Sequence, residues 1–102
     1  MKDVIKDLVQ IIKQRKNSDI DKSYTALLLA GGVEKCIDKL EEEFDELKQA
    51  LRKKNKEVHE AADMIYHLLV ALEASNVKFE DILNELEKRK KQSGLEEKKG
   101  RK

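Results

Sequence analysis

The chain has 102 residues, 42% of them charged and 4% aromatic, with no proline and a formal net charge of +1. That length carries one helical core and not two, and the charge-rich, proline-free composition favours amphipathic helices, so the expected class is all-α, a bundle of about five helices. The near-zero charge balance argues against nucleic acid, no apolar run reaches membrane-spanning length, and the lone Cys36 excludes an internal disulfide and fits a reducing, cytoplasmic setting.

The start, Met-Lys-Asp-Val-Ile-Lys-Asp-Leu, does not read as a secretory signal. A first helix is predicted over residues 2–15, where Val4, Ile5, Leu8, Ile11 and Ile12 recur at helical spacing before Asn17-Ser18-Asp19 ends it. Ser23 is placed to cap a short helix carrying Ala26, Leu27, Leu28 and Leu29, which Gly31-Gly32 terminates.

The third helix bears a stripe of Val33, Cys36, Ile37, Leu40, Phe44, Leu47 and Leu51, expected to pack, with Cys36 a buried small hydrophobe. Beside the stripe runs a row containing Lys39, Glu43 and Glu46, free to face a cleft; Glu42 lies nearly opposite the stripe. After a turn at Asn55, the fourth helix builds a face from Val58, Ala61, Ala62, Ile65, Leu68, Leu69 and Leu72, and is apolar on most other sides, so it is expected to be central. Glu60, Asp63 and His67 are its polar exception, while His59 is expected to face solvent. A fifth helix, residues 79–91, presents Phe79, Ile82, Leu83 and Leu86 to the bundle. Residues 1–91 therefore read as one domain and 92–102 as a polar, basic tail.

Glu43 and Glu46 stand three residues apart, and Glu60 and Asp63 repeat the spacing, so each pair shares one helix face. An acidic run is ordinarily a solvated face; the doubled spacing, with Asp63 in an apolar helix, argues instead for convergence in one antiparallel hairpin. A turn centred at Lys53 sets Glu46 level with Glu60 and Glu43 level with Asp63, whereas one centred at Asn55 offsets them by about one helical turn. Four carboxylates in one gap repel unless a cation separates them. Oxygen-only ligands select a hard cation, and magnesium with phosphate oxygens is the natural choice, suited to phosphoanhydride hydrolysis. Glu42 is then a candidate to take the proton from the attacking water. No GxxxxGK[ST] phosphate loop is present.

Glu42-Glu43-Phe44-Asp45-Glu46, followed after thirteen residues by Glu60-Ala61-Ala62-Asp63, resembles the EExxE…ExxD pattern of the all-α, MazG-like nucleotide pyrophosphohydrolases. Ser23-Tyr24-Thr25, the run from Glu60 to Val70, Glu80-Asp81-Ile82-Leu83-Asn84-Glu85-Leu86 and Ser93-Gly94-Leu95-Glu96-Glu97-Lys98 are similar to the phosphoribosyl-ATP pyrophosphatases of histidine biosynthesis. The resemblance implies magnesium-dependent hydrolysis of phosphoribosyl-ATP to phosphoribosyl-AMP and pyrophosphate, the second step of that pathway, in a homodimer. It implies Glu43, Glu46, Glu60 and Asp63 as metal ligands and Glu42 as a water activator or second-metal ligand. Lys39, Ser23, Tyr24, Thr25 and His67 become substrate-binding candidates, although Ser23 also has its cap role, and His67 can instead hold Asp63 in place or, equally, be a satisfied core histidine. Glu41 where the family usually has glycine, Lys22 in place of a small residue and a shorter link between the acidic motifs depart from the pattern. The other readings are a MazG-like hydrolase of a different nucleoside triphosphate and a non-catalytic helical interaction module.

Overall fold

Five helices account for most of residues 3–91, the part of the chain described by a computed structural model: α1 (Val4–Arg15), α2 (Tyr24–Ala30), α3 (Gly32–Lys53), α4 (Glu57–Ala74) and α5 (Phe79–Lys90). The expected tail, 92–102, lies outside the described residues, as does residue 2 at the predicted start of α1. No strand occurs among the described residues, and none of their helices is long and apolar enough to cross a membrane.

Local chemistry sets the helix ends. The Asp3 carboxylate accepts the Lys6 amide at 3.0 Å to start α1, and Ser23 Oγ accepts the Ala26 amide at 3.1 Å to start α2. Gly31 closes α2, and Gly32 adopts a φ of +84°, a left-handed turn that only glycine takes without strain, so α3 can set off in a new direction at once. The α3–α4 turn is three residues long. Its positive φ values fall on Lys54 (54°) and Lys56 (61°), on either side of the expected turn residue Asn55.

Among the described helices the α3–α4 hairpin is the most extensive packing, and α1 and α2 both pack against α4. Ile12, Leu28, Cys36, Leu69 and Val70 form the buried core, with Phe79 packed against it from α5. Two ion pairs, from Lys13 at 3.4 Å and Lys16 at 3.5 Å, join α1 to Glu73 on α4. Cys36 is buried as expected; burial pushes its thiol pKa up, and its Sγ donates to the Leu28 carbonyl at 3.5 Å.

One packing expectation needs correcting. The inward row of α3 runs through Cys36, Glu43 and Ala50, whereas Phe44 (48% exposed) and Leu51 (58%) from the predicted stripe turn away, together with Ile37. On α4, Val58 (86% exposed), Ile65 and Leu68 likewise leave the core, while His67, Leu69 and Val70 enter it. The apolar surface of this hairpin is wider than α1, α2 and α5 can cover, so within one chain an edge of each stripe is left over. On α5, Leu83 and Leu86 also remain exposed and only Phe79 reaches the core.

Because Ile12 ties α1 into the core at 1% exposure, Ile12→Ala should lower unfolding stability by about 2–5 kcal/mol in urea titration. Leu86→Ala, at an exposed position, should change it by no more than about 0.5 kcal/mol.

Candidate metal centre

The register of the hairpin decides which acids meet. Glu43 Oε1 lies 3.9 Å from His67 Nε2, and the two residues are equally distant in sequence from Asn55, so the turn centred there is the one adopted. That register sets Glu60 level with Ala50, one helical turn past Glu46, and the side chains converge from there: one oxygen each from Glu43, Glu46 and Glu60 lie within 4.8 Å of one another. A second group at the same spacing shares Glu60 and consists of His59, Glu60 and Asp63. Asp63 leans toward His59, whose Nε2 is 3.3 Å from Asp63 Oδ2. His59 is solvent-exposed as expected, but its partnership with Asp63 was not foreseen; the four-residue step along α4 was the signal available.

The carboxylates are held against solvation. The Glu43 side chain is only 13% exposed, and desolvation pushes its pKa up; His67 opposes that rise, and Glu46 and Asp63 add to it. Glu43 Oε2 and Glu60 Oε2 are buried and accept no hydrogen bond. An unsatisfied buried carboxylate oxygen costs several kcal/mol. Two charges at 4.8 Å in an effective dielectric near 20 repel by about 3 kcal/mol. Carboxylate oxygens converging from two helices, two of them buried without a protein donor, have the chemistry of a hard-cation ligand set.

His67 organises the inner wall. Its Nδ1–H donates to the Asp63 carbonyl at 2.8 Å, and Nε2 and the Tyr24 hydroxyl are hydrogen-bonded at 3.0 Å, Nε2 accepting in the neutral ring and donating in the protonated one. One residue along each helix, Thr25 Oγ1 and the Tyr66 hydroxyl are hydrogen-bonded, and burial raises the Tyr66 pKa. Adjacent residues of α2 are thus clasped to adjacent residues of α4. The structure brings Tyr24 and His67 to the acids, gives Thr25 a partner in Tyr66, and uses Ser23 as the cap.

Glu42 is largely exposed and belongs to neither group; its carboxylate receives the Lys39 ammonium at 3.2 Å, a hydrogen bond that raises the Lys39 pKa, with Tyr24 adding to the rise. Beside the first acid group, a cleft of about 220 Å³ opens at the hairpin turn, with Glu46 and Glu60 on its wall and Lys53 and Lys56 at its end.

A two-helix hairpin carrying one EExxE and one ExxD motif around a shared acid group defines an all-α pyrophosphohydrolase. The chain belongs to the family described as Phosphoribosyl-ATP pyrophosphohydrolase, which matches residues 5–90. It is 45% identical to a phosphoribosyl-ATP pyrophosphatase of Paracoccus denitrificans, over 93% of this chain and 90% of that protein. It is 44% identical to the one of Ruegeria pomeroyi, over 96% and 95%. A histidine biosynthesis bifunctional protein of Helicobacter hepaticus is 45% identical over 97% of this chain, which spans 44% of that longer protein.

The raised Glu43 pKa carries a sign. The folded, metal-free state binds this proton more tightly than the unfolded chain does, so stability falls as pH rises from the ordinary carboxylate range through the raised value. Metal-free Glu43→Gln should therefore melt above metal-free wild type at neutral pH, with the difference shrinking toward about pH 4, as followed by circular dichroism.

Proposed function

We propose that this chain hydrolyses the α–β phosphoanhydride of phosphoribosyl-ATP with magnesium, giving phosphoribosyl-AMP and pyrophosphate. The observation that carries the reading is the group of Glu43, Glu46 and Glu60 converging across a hairpin, with one oxygen each of Glu43 and Glu60 buried without a partner, in a chain whose family relatives are named for this substrate. Glu43, Glu46 and Glu60 hold the metal, and Asp63 completes the ligand set from the far side of Glu60. Magnesium bound there neutralises and orients phosphate oxygens and lowers the pKa of a water. Glu42 accepts the proton of the attacking water, with Lys39 holding its carboxylate until substrate phosphate competes for that ammonium. Tyr24 and Thr25, fixed by His67 and Tyr66, present the α2 end of the site to the nucleotide. Residues 1–91 form the catalytic unit, and the cytoplasm is its compartment, in keeping with a free, buried Cys36.

The apolar edges left open on α3 and α4 support a homodimer, because Ile37, Phe44 and Leu51 recur every seven residues on one helix, while on the next Val58 and Ile65 repeat that step and Leu68 follows three residues on. A larger helix bundle would bury both.

With magnesium, the protein should release pyrophosphate from phosphoribosyl-ATP in preference to a panel of ordinary and damaged nucleoside triphosphates; preference for the panel would refute the substrate assignment. Glu43→Gln and Glu60→Gln should each lower kcat by on the order of 10³-fold, about 4 kcal/mol of barrier, with helical content retained. In sedimentation velocity the wild type should run as a dimer, and Phe44→Glu should shift it to monomer.

A further inference from the structure

The cleft at the hairpin turn joins two kinds of charge. On its wall are Glu46 and Glu60, two of the three acids whose oxygens lie within 4.8 Å; at its end are Lys53, the last residue of α3, and Lys56, just before α4. Among the described residues, neither lysine ammonium has a hydrogen bond or ion pair, although acidic side chains are plentiful on both helices. The cleft holds about 220 Å³, and Glu60, one of whose carboxylate oxygens is buried without a partner, is among its lining residues. The turn itself is fixed by left-handed backbone at Lys54 and Lys56, so the lysines are presented by a set loop geometry.

Charge decides what such a cleft can take. Four carboxylates, Asp63 included, around one divalent cation leave a net charge of about −2, which repels a phosphate group; two lysines beside them bring the local balance to about zero. Lysine binds phosphate as a strongly hydrated point charge, suited to an open site where the anion must also leave. Outside this cleft, Lys39 is close enough to Glu43 to feel its charge, and Glu42 holds it.

We infer that Lys53 and Lys56 form the seat for the pyrophosphate portion of the substrate, gripping the anion from the turn while the metal bound by Glu43, Glu46 and Glu60 grips it from the hairpin. The inference rests on the hydrolytic reading above and assigns its leaving group a place. The nucleotide portion then extends the other way, along the acids toward Tyr24 and His67.

Inorganic pyrophosphate is the probe, titrated by calorimetry into the magnesium-loaded full chain, with magnesium alone titrated in parallel. Lys53→Gln combined with Lys56→Asn removes both charges, asparagine being chosen because it tolerates the positive φ at that position. The double variant should bind pyrophosphate at least tenfold more weakly, bind magnesium alone no less tightly, and show a raised KM for phosphoribosyl-ATP. Lys53→Arg with Lys56→Arg should restore pyrophosphate binding. Unchanged pyrophosphate affinity in the charge-removed variant, with helical content intact, overturns the inference even if wild type turns over phosphoribosyl-ATP. Weakened pyrophosphate binding in a protein that does not hydrolyse phosphoribosyl-ATP upholds the anion seat and overturns the substrate reading instead.

Discussion

Repulsion between carboxylates across the α3–α4 hairpin is the constraint around which the rest of the chain is arranged. Glu43, Glu46 and Glu60 are brought within 4.8 Å, and two of their oxygens are buried without a donor, so the fold spends part of its stability on holding them there. A hairpin whose only task was to fold would gain by turning those side chains out or replacing them with leucine. The core that offsets the cost is small: Ile12, Leu28, Cys36, Leu69 and Val70, reinforced by Ser23 as a cap and by the Lys13 and Lys16 pairs to Glu73. The open apolar edges of α3 and α4 are the remaining reserve of burial, and a second copy of the chain is the partner we assign to them.

The second organising element is the clasp between α2 and α4. Tyr24 to His67 and Thr25 to Tyr66 are adjacent pairs, so one helix end is held to the other by two side-chain hydrogen bonds at a fixed register. His67 has a further consequence for the acids. Its Nδ1–H is committed to the Asp63 carbonyl, which fixes the ring and aims Nε2 toward Tyr24 and Glu43. The Tyr24 hydroxyl is tied to that ring, so the α2 end is linked through His67 to the backbone that carries Asp63. Thus His67 acts here through Tyr24 and Asp63 rather than as a free surface group.

Much of this was legible in the residues. The 3.6-residue period picked out all five helices, with the bounds given for the first and fifth met to within a residue or two, Ser23 announced its cap, and Gly31-Gly32 announced the break before α3. The doubled three-residue spacing of acids placed Glu43 and Glu46 against Glu60 once the helices formed a hairpin. The inward edge of α3 was not legible, because the stripe from Val33 to Leu51 is broader than the surface a single chain can cover, and periodicity alone does not say which half packs internally. Nor was the lean of Asp63 toward His59, since an exposed histidine one helical turn away looks the same in sequence whether paired or not. The clasp joins residues more than forty positions apart, a distance over which pattern gives no pairing. Lys54 and Lys56 took the positive φ values that turn chemistry would assign to asparagine, because a three-residue link between antiparallel helices leaves few other conformations.

The central claim is that acids of two helices share one divalent ion. Crystals grown with manganese in place of magnesium test it most directly through the anomalous signal of the ion. The account predicts an anomalous peak at bonding distance from carboxylate oxygens of both α3 and α4, with Glu43 and Glu60 among the ligands. A fully loaded crystal with its manganese elsewhere, and those two side chains turned into separate regions of solvent, would contradict it.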